Sequence, residues 1–230
     1  MSRGTGLQKF ADGVWIANTP HKFLGWELGT RMTVLRLGDG SLVIHSPIAL
    51  DDALKSEIEA IGPVGHIVAP NLFHHLYAGN AAKAFPEAKV HGAPGLQKKR
   101  PDLRLDAVLG TQSEPTWRDE LETLAIEGTM LEETVFWHRP SGTLVCADLI
   151  ENFETADDWW TRLYLKASGI HGKVGLSRML RLVFRDRKKA RRSIDQVLRW
   201  DFDRIVLAHG EPIGARGVDA LRETYAWLRG

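Results

Sequence analysis

A single cysteine, Cys146, in a chain of 230 residues excludes an intrachain disulfide, and its place inside an apolar run marks it as a small buried hydrophobe rather than a reactive thiol. No apolar stretch is long enough to span a bilayer, and the first residues show no apolar signal core, so cytoplasmic residence is expected. Neither sign of charge is in excess. With 30 Lys and Arg against 29 Asp and Glu, the formal charge is +1, which favours neither nucleic acid nor an acidic membrane as an obligatory partner. Phosphate loops of the Gly-x-Gly-x-x-Gly or Gly-Lys-Ser/Thr type are missing, which removes support for nucleotide cofactors. There is no low-complexity segment and no short-period repeat. What is present is a 43% hydrophobic content, enough for a substantial core in one domain over residues 1–230.

The apolar residues are organised as short runs. Residues 14–16, 31–37 and 41–45 read as strands, with Gly38-Asp39-Gly40 a hairpin turn. Asp51 is placed to cap a helix whose Ala53, Leu54, Ile58 and Ile61 share a face, and Gly62-Pro63 ends it. A helix over about 76–85 and a short strand at Lys89-Val90-His91 follow. Residues 94–118 form a connection without sustained period. The second half predicts strands near 121–126, 133–138 and 143–148, helices near 177–184 and 187–200, a strand ending at His209, and a last helix with Val218, Leu221, Tyr225 and Leu228 on one face. Two similar halves, about 1–110 and 111–230, each running from meander to helix to strand, point to a layered α/β sandwich.

Four of these runs end on polar residues: Leu42-Val43-Ile44-His45, Ile67-Val68-Ala69-Pro70-Asn71, Leu144-Val145-Cys146-Ala147-Asp148 and Ile205-Val206-Leu207-Ala208-His209. Strands covered on both faces place their ligands just beyond the strand ends, so these positions are candidates for one shared site. His75, Asp148 and His209 offer two imidazoles and a carboxylate, a donor set that suits zinc, iron or manganese with a position left open. The competing reading is that each polar residue only caps its own strand or helix.

The stretch His66-Ile-Val-Ala-Pro-Asn-Leu-Phe-His-His-Leu-Tyr-Ala-Gly79 resembles the metallo-β-lactamase superfamily segment His-x-His-x-Asp-His-x-Gly-Gly. Aligned without a gap, Asn71 and Phe73 take the first two histidine positions, His75 the aspartate position and Leu76 that of the third histidine. A register shifted by one would put His74 on the aspartate and His75 on the third histidine, but the first keeps Gly79 on the second glycine. Thr143-Leu-Val-Cys-Ala-Asp148-Leu149 resembles the strand ending in the bridging aspartate, and Ile205-Val-Leu-Ala-His209-Gly210 the last ligand histidine. Glu127-Gly128-Thr129 stands where the family has Gly-His-Thr, and His45-Ser-Pro47 replaces a family Asp-Thr-Gly. The resemblance implies an αββα fold over about residues 14–213, with the site at one edge. It implies at most one metal, because Asn71, Phe73 and Gly128 remove the imidazoles of one half-site. His75, Asp148 and His209 are its expected ligands, with His74 or His45 orienting them or moving a proton.

Function then divides between a mononuclear hydrolase acting on an unknown small substrate and a metal-free binding protein on the same scaffold. His138 reads as a hydrogen-bonded strand residue, and His21, His66 and His91 have only structural readings. Ser168–Gly175, with His171, is either a lid or a surface loop, and Trp159, Trp160 and Tyr164 either line an entrance or pack. The run Arg185–Arg192 is the strongest charge feature. It is read as the solvated face of a helix, without the interleaved aromatics that stack bases.

Overall fold

The computed structural model describes residues 6–110, 117 and 119–229, so residues 111–116 and 118 of the expected connection lie outside the described residues. The chain opens with β1 (Gln8–Ala11) and β2 (Val14–Thr19), then a small hairpin of β3 (Lys22–Phe23) and β4 (Trp26–Glu27) turned through Leu24 and Gly25. It continues through β5 (Thr30–Arg36), β6 (Leu42–His45), α1 (Asp52–Glu59), β7 (Val64–Ala69), α2 (Ala78–Ala84), β8 (Lys89–Gly92), α3 (Leu96–Lys99) and β9 (Ala107–Val108). Asp51 caps α1 as expected, its carboxylate accepting from the Leu54 amide at 2.8 Å. The larger sheet has the order β1-β2-β5-β6-β7-β8-β9, antiparallel as far as β6 and parallel from there.

The second half supplies β10 (Leu121–Ala125), β11 (Thr134–His138), β12 (Thr143–Val145), β13 (Glu151–Phe153), α4 (Trp159–Ser168), β14 (Lys173–Gly175), α5 (Arg178–Arg181), α6 (Arg187–Val197), β15 (Arg204–Val206) and α7 (Gly217–Thr224). Its sheet has the order β10-β11-β12-β15, with β12 and β15 parallel and Val145 opposite Val206. The strands are shorter than their apolar runs. Residues 146–148 and 207–209 leave the ladder and become the loops that present Asp148 and His209. The stretch 168–175 is not a free loop: Gly169 closes α4 and β14 pairs with β13.

Alternation assigns the faces. Val14, Ile16, Leu35, Val43 and Val68 of the larger sheet meet Leu121, Phe136, Val145 and Val206 of the smaller, forming the core between sheets. The opposite face of the larger sheet, with Val34, Ile44 and Ile67, is covered by Leu54 and Ile58 of α1 and Ala81 of α2. The outer face of the smaller sheet, with Leu144 and Ile205, is covered by Ile194 and Val197 of α6 and Leu221 of α7. The result is the expected αββα sandwich, each buried aliphatic side chain contributing about 1.5–3 kcal/mol of transfer free energy. Phe136 is fully buried at the centre, edge-on to Trp117 and His45 with ring centroids at 6.0 and 5.4 Å. Phe136→Ala is therefore expected to lower the free energy of unfolding by about 3–5 kcal/mol in urea titrations, with Phe136→Leu losing less.

Candidate metal centre

Three strands of the two sheets end at the same edge, and each hands its next residues to a loop. After β7, Asn71 folds its side chain back so that Oδ1 accepts from the Phe73 and His74 amides at 2.8 and 2.7 Å. That closes a tight turn and aims His74 at the site. After β12, Asp148 follows Cys146, whose amide donates to the Val206 carbonyl at 2.9 Å, and Ala147; after β15, His209 is carried past Ala208, whose amide donates to the Ala147 carbonyl at 3.2 Å. His74 Nε2 and His209 Nε2 are then 3.2 Å apart, and Asp148 Oδ1 lies 3.5 Å from the first and 3.3 Å from the second. All three side chains are nearly buried, at 8%, 8% and 13% exposure.

Hydrogen bonds on the far side of each ring decide what points inward. His209 Nδ1 lies 2.8 Å from the Gly29 carbonyl, which only accepts, so Nδ1 carries the proton and Nε2 presents a lone pair. His74 Nδ1 is 2.8 Å from Ser46 Oγ, a hydroxyl that can accept its proton and so allow the same tautomer. Two imidazole lone pairs and a carboxylate oxygen thus face one point. Burial opposes ionisation of Asp148, but the two histidines outweigh it and hold the carboxyl far below its usual range. Burial likewise opposes charge on His209, and Asp148 reverses that and raises its pKa. The triangle fits a cation. Three corners of a tetrahedron with zinc bonds of about 2.0–2.1 Å are roughly 3.3 Å apart, and the fourth corner is open.

The supports come from residues with no motif of their own. Asn71 Nδ2 donates to Asp148 Oδ2 at 2.8 Å, so the amide bridges the turn at His74 to the carboxylate. Beneath them Glu133 is buried, and its carboxylate accepts from the Ala147 and Asp148 amides at 2.7 and 2.9 Å; burial and then the charge of Asp148 push its pKa up to about 8. Arg31 brackets His209 from behind, donating to the Leu207 and Gly210 carbonyls at 2.5 and 2.7 Å. Ser46 holds φ at 54°, a conformation costing about 1 kcal/mol or more for a residue other than glycine. Gly210 has no such freedom to change: a Cβ there would lie 1.9 Å from the Asn152 carbonyl.

Of the expected ligands, the structure brings Asp148 and His209 together and puts His74 beside them in place of His75. His75 faces away. Its carbonyl accepts from the Ala78 amide at the start of α2 and its Nδ1 lies 3.2 Å from Arg100 Nη1, because consecutive residues of the Asn71 turn point in different directions. His45 is buried between the sheets against Phe136, with Nε2 unpartnered, and burial followed by the charge of His74 lowers its pKa to about 3. His66 and His91 form a separate buried pair, 3.0 Å apart beside Trp117, and His138 bonds Ser141. His21, given only a structural reading from sequence, is half-buried within reach of the fields of His209 and His74, and burial and those charges lower its pKa.

Residues 11–173 match a family model described as a domain of unknown function, DUF4336. No curated protein matches the sequence. Among solved structures, a metallo-β-lactamase from Pontibacter korlensis is similar at 13% identity and a TM-score of 0.67, covering 97% of this chain and 98% of that one. One from Erythrobacter litoralis has 13% identity and a TM-score of 0.65 over 99% and 95%, and one from Hirschia baltica 15% and 0.60 over 96% of both. At these identities the likeness establishes the metallo-β-lactamase fold.

Three positions that the sequence resemblance set against histidines are otherwise engaged. Asn71 is committed to its turn and to Asp148, Phe73 is 47% exposed with the Lys99 ammonium 4.9 Å from its ring, and Gly128 (φ 75°) is wedged against α6, where a Cβ would lie 2.2 Å from the Asp186 carbonyl. Gly128→His is expected to lower the melting temperature by several degrees without raising metal uptake, as differential scanning calorimetry with elemental analysis would show. His45 yields a pH prediction. Its unfolded pKa of 6.5 exceeds the folded value of about 3, so the unfolded chain binds the extra proton; the stability His45 contributes is full above pH 6.5 and lost as pH falls towards about 3. His45→Gln should flatten that acid limb, measured as urea midpoints at neutral and mildly acid pH.

Proposed function

We propose that this chain, which belongs to the DUF4336 family, is a mononuclear metal-dependent hydrolase in which His74, Asp148 and His209 hold one divalent ion, zinc, iron or manganese, and act on a small substrate. The observation that carries this reading is the convergence of three acceptor atoms, at 3.2, 3.3 and 3.5 Å from one another, with no proton of their own between them in the tautomers their partners allow. An ion of this kind supplies Lewis acidity that polarises a carbonyl or phosphoryl oxygen and brings the pKa of water to about 7.

The chain's own residues do the rest. Ser46 and Gly29 keep the Nδ1 protons of His74 and His209 engaged, so both Nε2 atoms remain donors of electron pairs. Asn71 occupies the second carboxylate oxygen of Asp148 and keeps Oδ1 facing the histidines. His21 accepts from the Leu28 and Gly29 amides on its carbonyl and so steadies the Gly29 carbonyl that orders His209. The replaced half-site, with Asn71, Phe73 and Gly128, favours a second reading, a metal-free binding protein on the same scaffold.

Elemental analysis of protein purified without added metal separates the two. The expected result is about one ion per chain, lost in His74→Ala, Asp148→Ala and His209→Ala but retained in His75→Ala, with circular dichroism unchanged. Zinc at a hundredfold excess over its dissociation constant should add about 2.7 kcal/mol to the unfolding free energy of the wild type. A folded, ion-free chain whose unfolding is indifferent to zinc and to chelators overturns the hydrolase and leaves the binding protein.

A further inference from the structure

The near-neutral total hides a segregation. Residues 178–199 hold nine Lys and Arg against two Asp, a net charge of +7, so the remainder of the chain carries −6. Many cations elsewhere on the surface have carboxylate partners, as in Lys55–Glu59, Arg100–Asp102 and Arg139–Glu122. On this segment the described residues contain one such pair, Arg191–Asp195 at 3.4 Å. Asp186 is committed to the N-cap of α6, accepting from the Lys189 amide at 3.0 Å.

This arrangement works against the helix that bears it. Arg187, Lys188 and Lys189 occupy the first turn of α6, where the exposed amides and the macrodipole are already positive, and no basic residue stands in its last turn. Arg187 and Arg191, and Lys188 and Arg192, repeat like charges one turn apart. Packing needs none of this, since Ala190, Ile194 and Val197 supply the buried face. Charges that weaken their own helix, with Asp195 the one carboxylate paired to them among the described residues, are complementary to an anionic surface outside the molecule.

Two further features select the kind of surface. Leu182, in the turn between α5 and α6, is 71% exposed between Arg181 and Arg185, and Met130, 53% exposed, lies against Arg185 with Nε 3.2 Å from its sulfur. An apolar tip ringed by cations is what an interfacial segment presents to headgroups and acyl chains. The aromatic ring nearby, Trp227, is flanked by Arg181 and Arg187, each 5.5 Å from its centroid, rather than free to stack a base. We propose that the face formed by α5, the Leu182 turn and α6 docks on a bilayer bearing anionic phospholipid headgroups, with Leu182 entering the interface.

Co-sedimentation of the full chain with phosphatidylcholine vesicles, with and without phosphatidylserine at physiological salt, tests this directly. Binding is expected only with phosphatidylserine and should weaken as salt rises. Replacing Lys188, Lys189, Arg191 and Arg192 together by Gln should weaken it by more than about a hundredfold, at about fivefold per charge. Leu182→Ser should weaken it by about fivefold through lost apolar contact, with little change in salt dependence. These side chains are exposed, so unchanged circular dichroism and metal content confirm that the fold and the triad are intact. Binding that ignores phosphatidylserine, binding unaffected by Leu182→Ser, or displacement from vesicles by an equal phosphate concentration of duplex nucleic acid each overturns the proposal, the last in favour of nucleic acid.

Discussion

Three acceptor atoms held at hydrogen-bond distance from one another in a nearly buried pocket repel unless positive charge lies among them, and most of the polar structure at this edge exists to keep them there. The carboxylate of Asp148 is screened by its histidines and by the Asn71 amide, while the buried Glu133 carboxylate accepts from the Ala147 and Asp148 amides and fixes the loop. His209 cannot rotate without breaking its bond to Gly29, and its loop cannot drift while Arg31 holds the carbonyls on either side. Around this set the fold carries the strained Ser46 and the crowded Gly210.

The positions that the sequence resemblance set against histidines, on the turn after β7 and on the loop before β11, serve the fold in other ways. Asn71 spends its carbonyl oxygen on two backbone amides and its nitrogen on Asp148, so it stabilises the turn and satisfies the carboxylate oxygen that faces away from the histidines. Gly128 accepts the Arg185 and Asp186 amides on its carbonyl, and the start of α6 fills the space where a side chain would project. These contacts join the site edge to the basic face through the 127–133 loop.

Much of this was legible in the residues, for identifiable reasons. Buried parallel strands must be apolar, so runs such as Ile205–Ala208 announce themselves, and the first polar residue after each marks the sheet edge; Asp148 and His209 followed from that alone. The choice between His74 and His75 did not, because it turns on one side chain bonding two backbone amides, and an ungapped alignment carries no information on that turn. Ser46, Glu133 and Arg31 act through hydrogen bonds between distant segments and have no periodicity to betray them. The β3–β4 hairpin escaped because its strands are two residues long, although its Leu24-Gly25 turn holds both residues at positive φ. The basic run was visible as composition, but that Asp195 alone pairs with it among the described residues required the surface.

Places where a chain departs from locally favourable physics are the places to ask what else it does. Two such groups concern function here: strained or crowded backbone and converging acceptors at the triad, and cations set against the helix dipole along α6. By contrast Asp51 and Asp158 cap their helices, and Lys55 pairs with Glu59 one turn away. The 127–133 loop bonds to the turn after β7 on one side and to the start of α6 on the other, so a single loop joins the edge that carries the triad to the helix that carries the cations.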